Sequence, residues 1–197
     1  MSSPTTPGDG LPVMLFETQA DFEAWLDEHH ASASGAWLRL AKKASGLRSL
    51  AYDEAVEAGL CFGWIDGQKK GYDERSWLQR FTPRGPQSIW SKVNRAKAEA
   101  LIAAGRVRPA GLAAVERARQ TGRWDAAYDP ASTASVPEDL QVALDASERA
   151  GAFFKTLSGA NRYALLFRIQ TAKKPETRAR RIQKFIDMLE RGEKLYP

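Results

Sequence analysis

The chain has one cysteine, two histidines and no apolar run approaching 18 residues. A single thiol, Cys61, excludes a disulfide within the chain. With only His29 and His30 beside it, no Cys/His zinc spacing can be assembled. The absence of a long apolar stretch leaves no candidate membrane-spanning helix. The first residues, MSSPTTPGDGLP, carry neither a basic start nor an apolar core of signal-peptide length. Together with the lone thiol this sets the expectation of a cytoplasmic protein. No phosphate loop, dinucleotide fingerprint, catalytic triad or metal set can be found, so no cofactor is expected and no reaction class is indicated.

What is present is an ordinary globular composition, 43% hydrophobic and 27% charged over 197 residues, enough chain to bury a core without staples. The net charge of +5 is unevenly spread. Residues 1–74 hold 6 basic and 12 acidic groups, and residues 75–108 hold 8 and 1. Residues 109–154 hold 4 and 7, and residues 155–197 hold 11 and 4. Two basic segments thus alternate with two acidic ones. Either the basic segments build an anion-binding face, or neighbouring segments neutralise each other.

Periodicity gives an α+β fold: a small, mainly antiparallel sheet with flanking helices in the N-terminal half, and a helical C-terminal half. Residues 1–14, rich in Pro, Ser, Thr and Gly, read as a disordered tail. Residues 15–134 read as an α+β domain, and 135–197 as a helical segment packed on it. Phe22, Trp25, Leu26 and His29 mark a first helix opened by Thr18, with the histidines at its C-terminal end. Residues 37–43 read as a strand and 52–60 as a short helix. Residues 64–72 and 76–82 form a hairpin with its tip at 73–75, in which Trp77, Gln79 and Phe81 share a face. Ser88 is expected to cap a helix ending at Gly105, and a further helix runs to Gly122. Ser135 and Glu138 suggest a capping box for a helix that Gly151 closes. Ser158 and Pro175 open the last two helices.

One stretch collects unusual residues: CFGWIDGQKKGYDERSWLQRFTPRGPQSIWSKVN, 61–94, with three of the six tryptophans and several arginines. Asp66 stands in an apolar run and calls for a partner, with Arg80 and Arg84 as candidates, since a guanidinium grips a carboxylate at two points. The pair either fixes strand register or leaves one arginine for an anionic ligand. Trp64, Trp77 and Trp90 either pack the core or line a pocket beside those arginines. Ser91 and Asn94, three apart on one helix, can reach a common point. Arg178 and Arg181, after Pro175, either form a solvated basic face or complete the pocket. Cys61, between Leu60 and Phe62, reads as a packed, inert thiol.

LCFGWIDG at 60–67, FTPR at 81–84, SIWSKVN at 88–94 and AKKPETRARRI at 172–182 occur in an order and spacing that resembles the bacterial YdeI/OmpD-associated family, also labelled bacteriocin-protection proteins. The resemblance runs from about Phe16 to about Leu195. It implies a role in resistance to antimicrobial peptides or envelope stress and brings no catalytic residues. The reading drawn from the residues is a binding protein with a Trp/Arg-lined pocket for a small anionic or planar molecule or a peptide. Nucleic-acid binding through 75–108 and 155–197 ranks second. An enzyme using Asp66 as acid or base, and a protein-interaction module anchored by exposed tryptophans, are further alternatives.

Overall fold

The computed structural model describes residues 7–197, so residues 1–6 of the segment read as a tail lie outside the described residues. The chain divides into two units: residues 7–90 with 94–126, and residues 91–93 with 127–197. The fold is α+β, with the sheet and four helices in the N-terminal part and helices alone after residue 126.

The first unit is built on four strands in the order β1-β2-β4-β3: β1 Val13–Met14, β2 Ala36–Ala41, β3 Trp64–Gly71 and β4 Ser76–Pro83. β2, β4 and β3 run antiparallel, while β1 lies parallel to β2, held also by the Trp37 N–H to Pro12 carbonyl bond of 2.8 Å. β1 falls inside the segment that composition assigns to a tail; two residues are too few to show a period-2 pattern.

Register sorts the side chains. Leu38 faces Gln79, Leu40 faces Trp77 and Ala36 faces Phe81, so these six share one face of the sheet. Two helices cover it, α1 Gln19–His29 and α2 Tyr52–Cys61. Phe22 of α1, fully buried, meets the Phe81 ring edge-on at 5.8 Å, and each buried ring contributes about 1.5–3 kcal/mol. Thr18 caps α1 through the Asp21 N–H, and Asp21 reciprocates at the Thr18 N–H. His29 and His30 close the helix, each ring Nδ1 lying 2.9 Å from the carbonyl four residues back.

α4 Pro109–Gln120 and all but the first two residues of α3 Lys92–Ala103 complete this unit. The helix expected from a Ser88 cap starts only at Lys92. Residues 84–91 stay irregular because the Gly85 carbonyl closes a tight turn with the Ser88 N–H at 3.0 Å. α4 sits on the end of α2 through Gly111. A Cβ there would stand 2.4 Å from the Cys61 carbonyl oxygen and 2.8 Å from that of Leu60.

The second unit is a bundle of α5 Glu138–Asp145, α6 Glu148–Thr156, α7 Gly159–Gln170 and α8 Pro175–Glu190. Leu140, Leu144, Phe154, Leu165, Ile169, Phe185 and Leu189 fill its core. The single helix expected from Glu138 to Gly151 is two helices. Ser147 accepts the Ala150 N–H and starts α6, so Gly151 lies inside a helix. Pro137 rather than Ser135 occupies the N-cap of α5, so the proposed capping box does not form.

Candidate anion-binding site

The irregular segment after β4 carries the site. Pro83 ends the ladder opposite Trp64, and the next N–H, that of Arg84, donates to the Gly63 carbonyl at 2.8 Å. This anchors the Arg84 backbone to the start of β3 and sends its side chain under the turn at 85–88. The guanidinium is buried, 7% exposed, and lies 3.6 Å from the centre of the Trp90 ring. Nη1 donates to the Ile89 carbonyl at 3.3 Å. A cation held over an indole in a desolvated place is stabilised by roughly 2 kcal/mol.

Trp90 meets Trp124 edge-on at 4.8 Å, and both rings are buried. Trp124 follows α4, which Gly122 terminates in the left-handed conformation (φ 66°), turning the chain back. The Trp124 N–H donates to Ala118, its carbonyl accepts from Arg95, and the Arg119 guanidinium lies 5.3 Å from its ring centre. In the order Arg84, Trp90, Trp124, Arg119, an edge-on pair of indoles is thus flanked by a guanidinium on either side. Arg117 from the last turn of α4 and Arg123 after it complete a concavity with Arg84, Trp90, Ser88 and Thr121. Arg123 is bonded to the Gln87 side chain. The concavity is small, about 10 Å³, room for about one water. A planar ligand does not fit between the indoles, which meet edge-on at 4.8 Å.

The charge balance sets this place apart. Among the described residues, Arg117, Arg119 and Arg123 have no carboxylate within 4 Å. The arginines and lysine of 95–108 do: Arg106 pairs with Glu23 and Glu57, Lys97 with Asp53 and Glu57, Arg95 with Glu99, and Arg108 with Asp27. Neutralisation by the acidic segment 1–74 therefore holds for Lys97, Arg106 and Arg108, while the arginines at the end of α4, within an acidic segment, have no such partner.

Of the nine residues singled out in the sequence, the first unit brings Arg84 and Trp90 together as described. Trp64, 1% exposed, is sealed beneath α1, edge-on to Trp25 at 5.7 Å, with Nε1 donating to the His30 carbonyl. Asp66 pairs with neither arginine: it accepts from the Tyr52 hydroxyl at 2.7 Å. In register it faces Phe81, so its side chain shares that face, while Arg80 points to the opposite one, where Asp9 lies 3.2 Å from its Nε. Trp77 packs beside Tyr52 with the Lys69 ammonium over its ring. Ser91 bridges to Tyr128 just before α3, which begins at Lys92, and Asn94 lies in the first turn of that helix. Arg178 and Arg181 belong to the second unit. Arg178 grips both oxygens of Asp139 at 2.6 and 2.8 Å and donates to the Ile169 carbonyl, while Arg181 donates to that of Arg168. That grip holds the Asp139 carboxyl below its ordinary range. Cys61 is buried, and desolvation pushes its thiol up, which suits an inert packed residue.

Sequence reasoning missed Arg117, Arg119, Arg123 and Trp124. They fall in the segment whose total is acidic, so a net count hides them. The visible signal is three arginines spaced 117, 119 and 123 around a helix-ending glycine, followed by tryptophan.

Residues 133–192 match the family described as Bacteriocin-protection, YdeI or OmpD-Associated, and residues 14–114 match a domain of unknown function, DUF8412. The motif at 172–182 lies in the former; those at 60–67, 81–84 and 88–94 lie in the latter, as do Arg84 and Trp90. Comparison with curated proteins and with solved structures gave no match. The DUF8412 match spans half of the chain, which therefore belongs to that family, with a YdeI/OmpD-associated match at 133–192.

Proposed function

We propose that this protein binds a small tetrahedral oxyanion, a phosphate or a terminal phosphate group, at the mouth formed by Arg117 and Arg123 over Arg84 and Trp90. The supporting observation is the gathering of Arg84, Arg117 and Arg123 on one concavity, with no carboxylate close to the latter two. A guanidinium fork matches the oxygens of such an anion, and a low-dielectric floor strengthens the attraction. Arg84 acts as fixed positive charge, held by the Trp90 face. Arg117 and Arg123 act as the clamp, with the Ser88 and Thr121 hydroxyls at the rim. The small concavity favours a single compact anionic group over a base or a peptide side chain.

A part in resistance to antimicrobial peptides rests on the family matched by residues 133–192 alone, and a cytoplasmic location rests on the single buried thiol. Thermal unfolding in a series of anions tests the binding. Phosphate at millimolar concentration raises the Tm of the wild type above that in chloride of equal ionic strength, since a ligand bound only to the folded state stabilises it. In the double variant Arg117→Gln/Arg123→Gln the difference vanishes. An equal phosphate effect in wild type and variant rules the assignment out.

A further inference from the structure

The opposite face of the sheet carries a second anion seat, already filled by a carboxylate of the chain itself. Trp37 and Arg80 are cross-strand neighbours on β2 and β4, so both side chains project to the face away from α1 and α2. Asp9 reaches into the gap between them. The Trp37 Nε1 donates to its Oδ1 at 3.0 Å and lies 3.2 Å from Oδ2, and the Arg80 Nε stands 3.2 Å from Oδ2. The Leu11 N–H is 3.4 Å from Oδ1. The indole N–H thus spans both oxygens, and the guanidinium forms an ion pair beside Oδ2. The seat opens onto a cleft of about 510 Å³, lined further by Gln68, Lys69 and Lys70 of β3. Lys70 faces Leu78, on the same side of the sheet as Arg80, and among the described residues no carboxylate lies within 4 Å of it. The Asp9 carboxyl is held below its ordinary value, chiefly by the Trp37 hydrogen bond, as expected for a seat that prefers an anion.

We propose that the Trp37–Arg80 seat binds one carboxylate of a small dicarboxylic acid whose second carboxylate meets Lys70 in the adjoining cleft, and that Asp9 occupies the seat in cis until such a ligand displaces it. The site is separate from the arginine cluster at the end of α4 and does not depend on it. Asp9 is a tethered competitor. The chain is pinned three residues later by the Pro12–Trp37 bond, and a short tether gives an effective concentration on the order of millimolar. A free acid therefore binds the wild type weakly, and removing the tethered carboxylate strengthens its binding by about tenfold or more.

Isothermal titration of succinate into the wild type and Asp9→Ala tests this, with the Trp37 indole N–H signal in NMR as a local readout, assigned by its loss in Trp37→Phe. Succinate binds Asp9→Ala at least about tenfold tighter than wild type and moves that signal. The gain is lost in Asp9→Ala/Arg80→Gln and in Asp9→Ala/Trp37→Phe, either of which serves if the other does not fold. Lys70→Gln in the Asp9→Ala background weakens succinate and leaves acetate unchanged. The gain persists in Asp9→Ala/Arg117→Gln/Arg123→Gln, which separates this seat from the oxyanion site. Succinate binding Asp9→Ala no tighter than wild type overturns the proposal. So does a gain that survives loss of Arg80 or Trp37. Inorganic phosphate or acetate binding as tightly as succinate overturns the dicarboxylate assignment.

Discussion

Gly111→Ala is the substitution by which the packing beneath the oxyanion site is most sharply tested. In an isolated helix the change helps, because alanine is favoured over glycine by about 1 kcal/mol. Here the new Cβ meets the Cys61 carbonyl oxygen at 2.4 Å, the Leu60 carbonyl oxygen at 2.8 Å and a Val107 methyl at 2.6 Å. Two of the three are backbone atoms at the end of α2, and neither can rotate away. The Cys61 carbonyl is also committed to the Arg108 N–H at 2.9 Å, the bond that starts α4. Relief requires α4 to lift, and overpacking of this kind costs about 1–3 kcal/mol. The steric cost outweighs the helical gain, leaving a net loss of up to about 2 kcal/mol. α4 also carries Arg117, and Thr121 caps its C-terminal end, so the same shift opens the clamp. Urea unfolding measures the loss, and phosphate titration of the folded variant measures the clamp. Leu112→Ala, at the adjacent exposed position, changes stability by less than about 0.5 kcal/mol. Gly111→Ala with wild-type stability and wild-type phosphate binding would refute the close approach of α4 to α2.

Other expectations concern the core, the second unit and the thiol. Leu189→Ala, at a fully buried position of the helical bundle, destabilises by about 2–5 kcal/mol in denaturant unfolding. Ser147→Ala removes the α6 cap and the 2.7 Å bond to Glu190, costing about 1 kcal/mol by the same assay. Asp139 is depressed by Arg178, so the stabilisation it gives is present above its ordinary value of 3.8 and is lost as pH falls through its lower folded-state value. Acid unfolding followed by circular dichroism shows that dependence in wild type and less of it in Asp139→Asn. Cys61, buried with its thiol pushed up, reacts with iodoacetamide at pH 8 far more slowly in the native chain than in urea, by mass spectrometry.

The fold class was legible because period and punctuation agreed: Phe22, Leu26 and the Thr18 cap for α1, the alternation 77–79–81 for β4, and Ile182, Phe185, Ile186 and Leu189 for α8. The start of α3 was not, since a serine before an apolar run reads as a cap even where Gly85 and Pro86 bind it into a turn. The break at Ser147 was hidden by Gly151, which reads as a stop but serves inside α6. Of the site, Arg84 and Trp90 were visible as a cluster. Their real partners were not, because Arg117, Arg123 and Trp124 are distant in sequence and lie in a segment with acidic totals. The expected Asp66–arginine pair failed on parity: adjacent residues of a strand point to opposite faces, and only the register with Phe81 shows which face Asp66 takes.

The most direct measurement is calorimetric titration of pyrophosphate into the wild type, Arg117→Gln/Arg123→Gln and Arg48→Gln, the last an exposed arginine of the same unit. The account predicts one site per chain in wild type and Arg48→Gln, with affinity falling as salt rises, and no binding in the double variant. Equal affinity in all three proteins, or binding indifferent to salt, would contradict it.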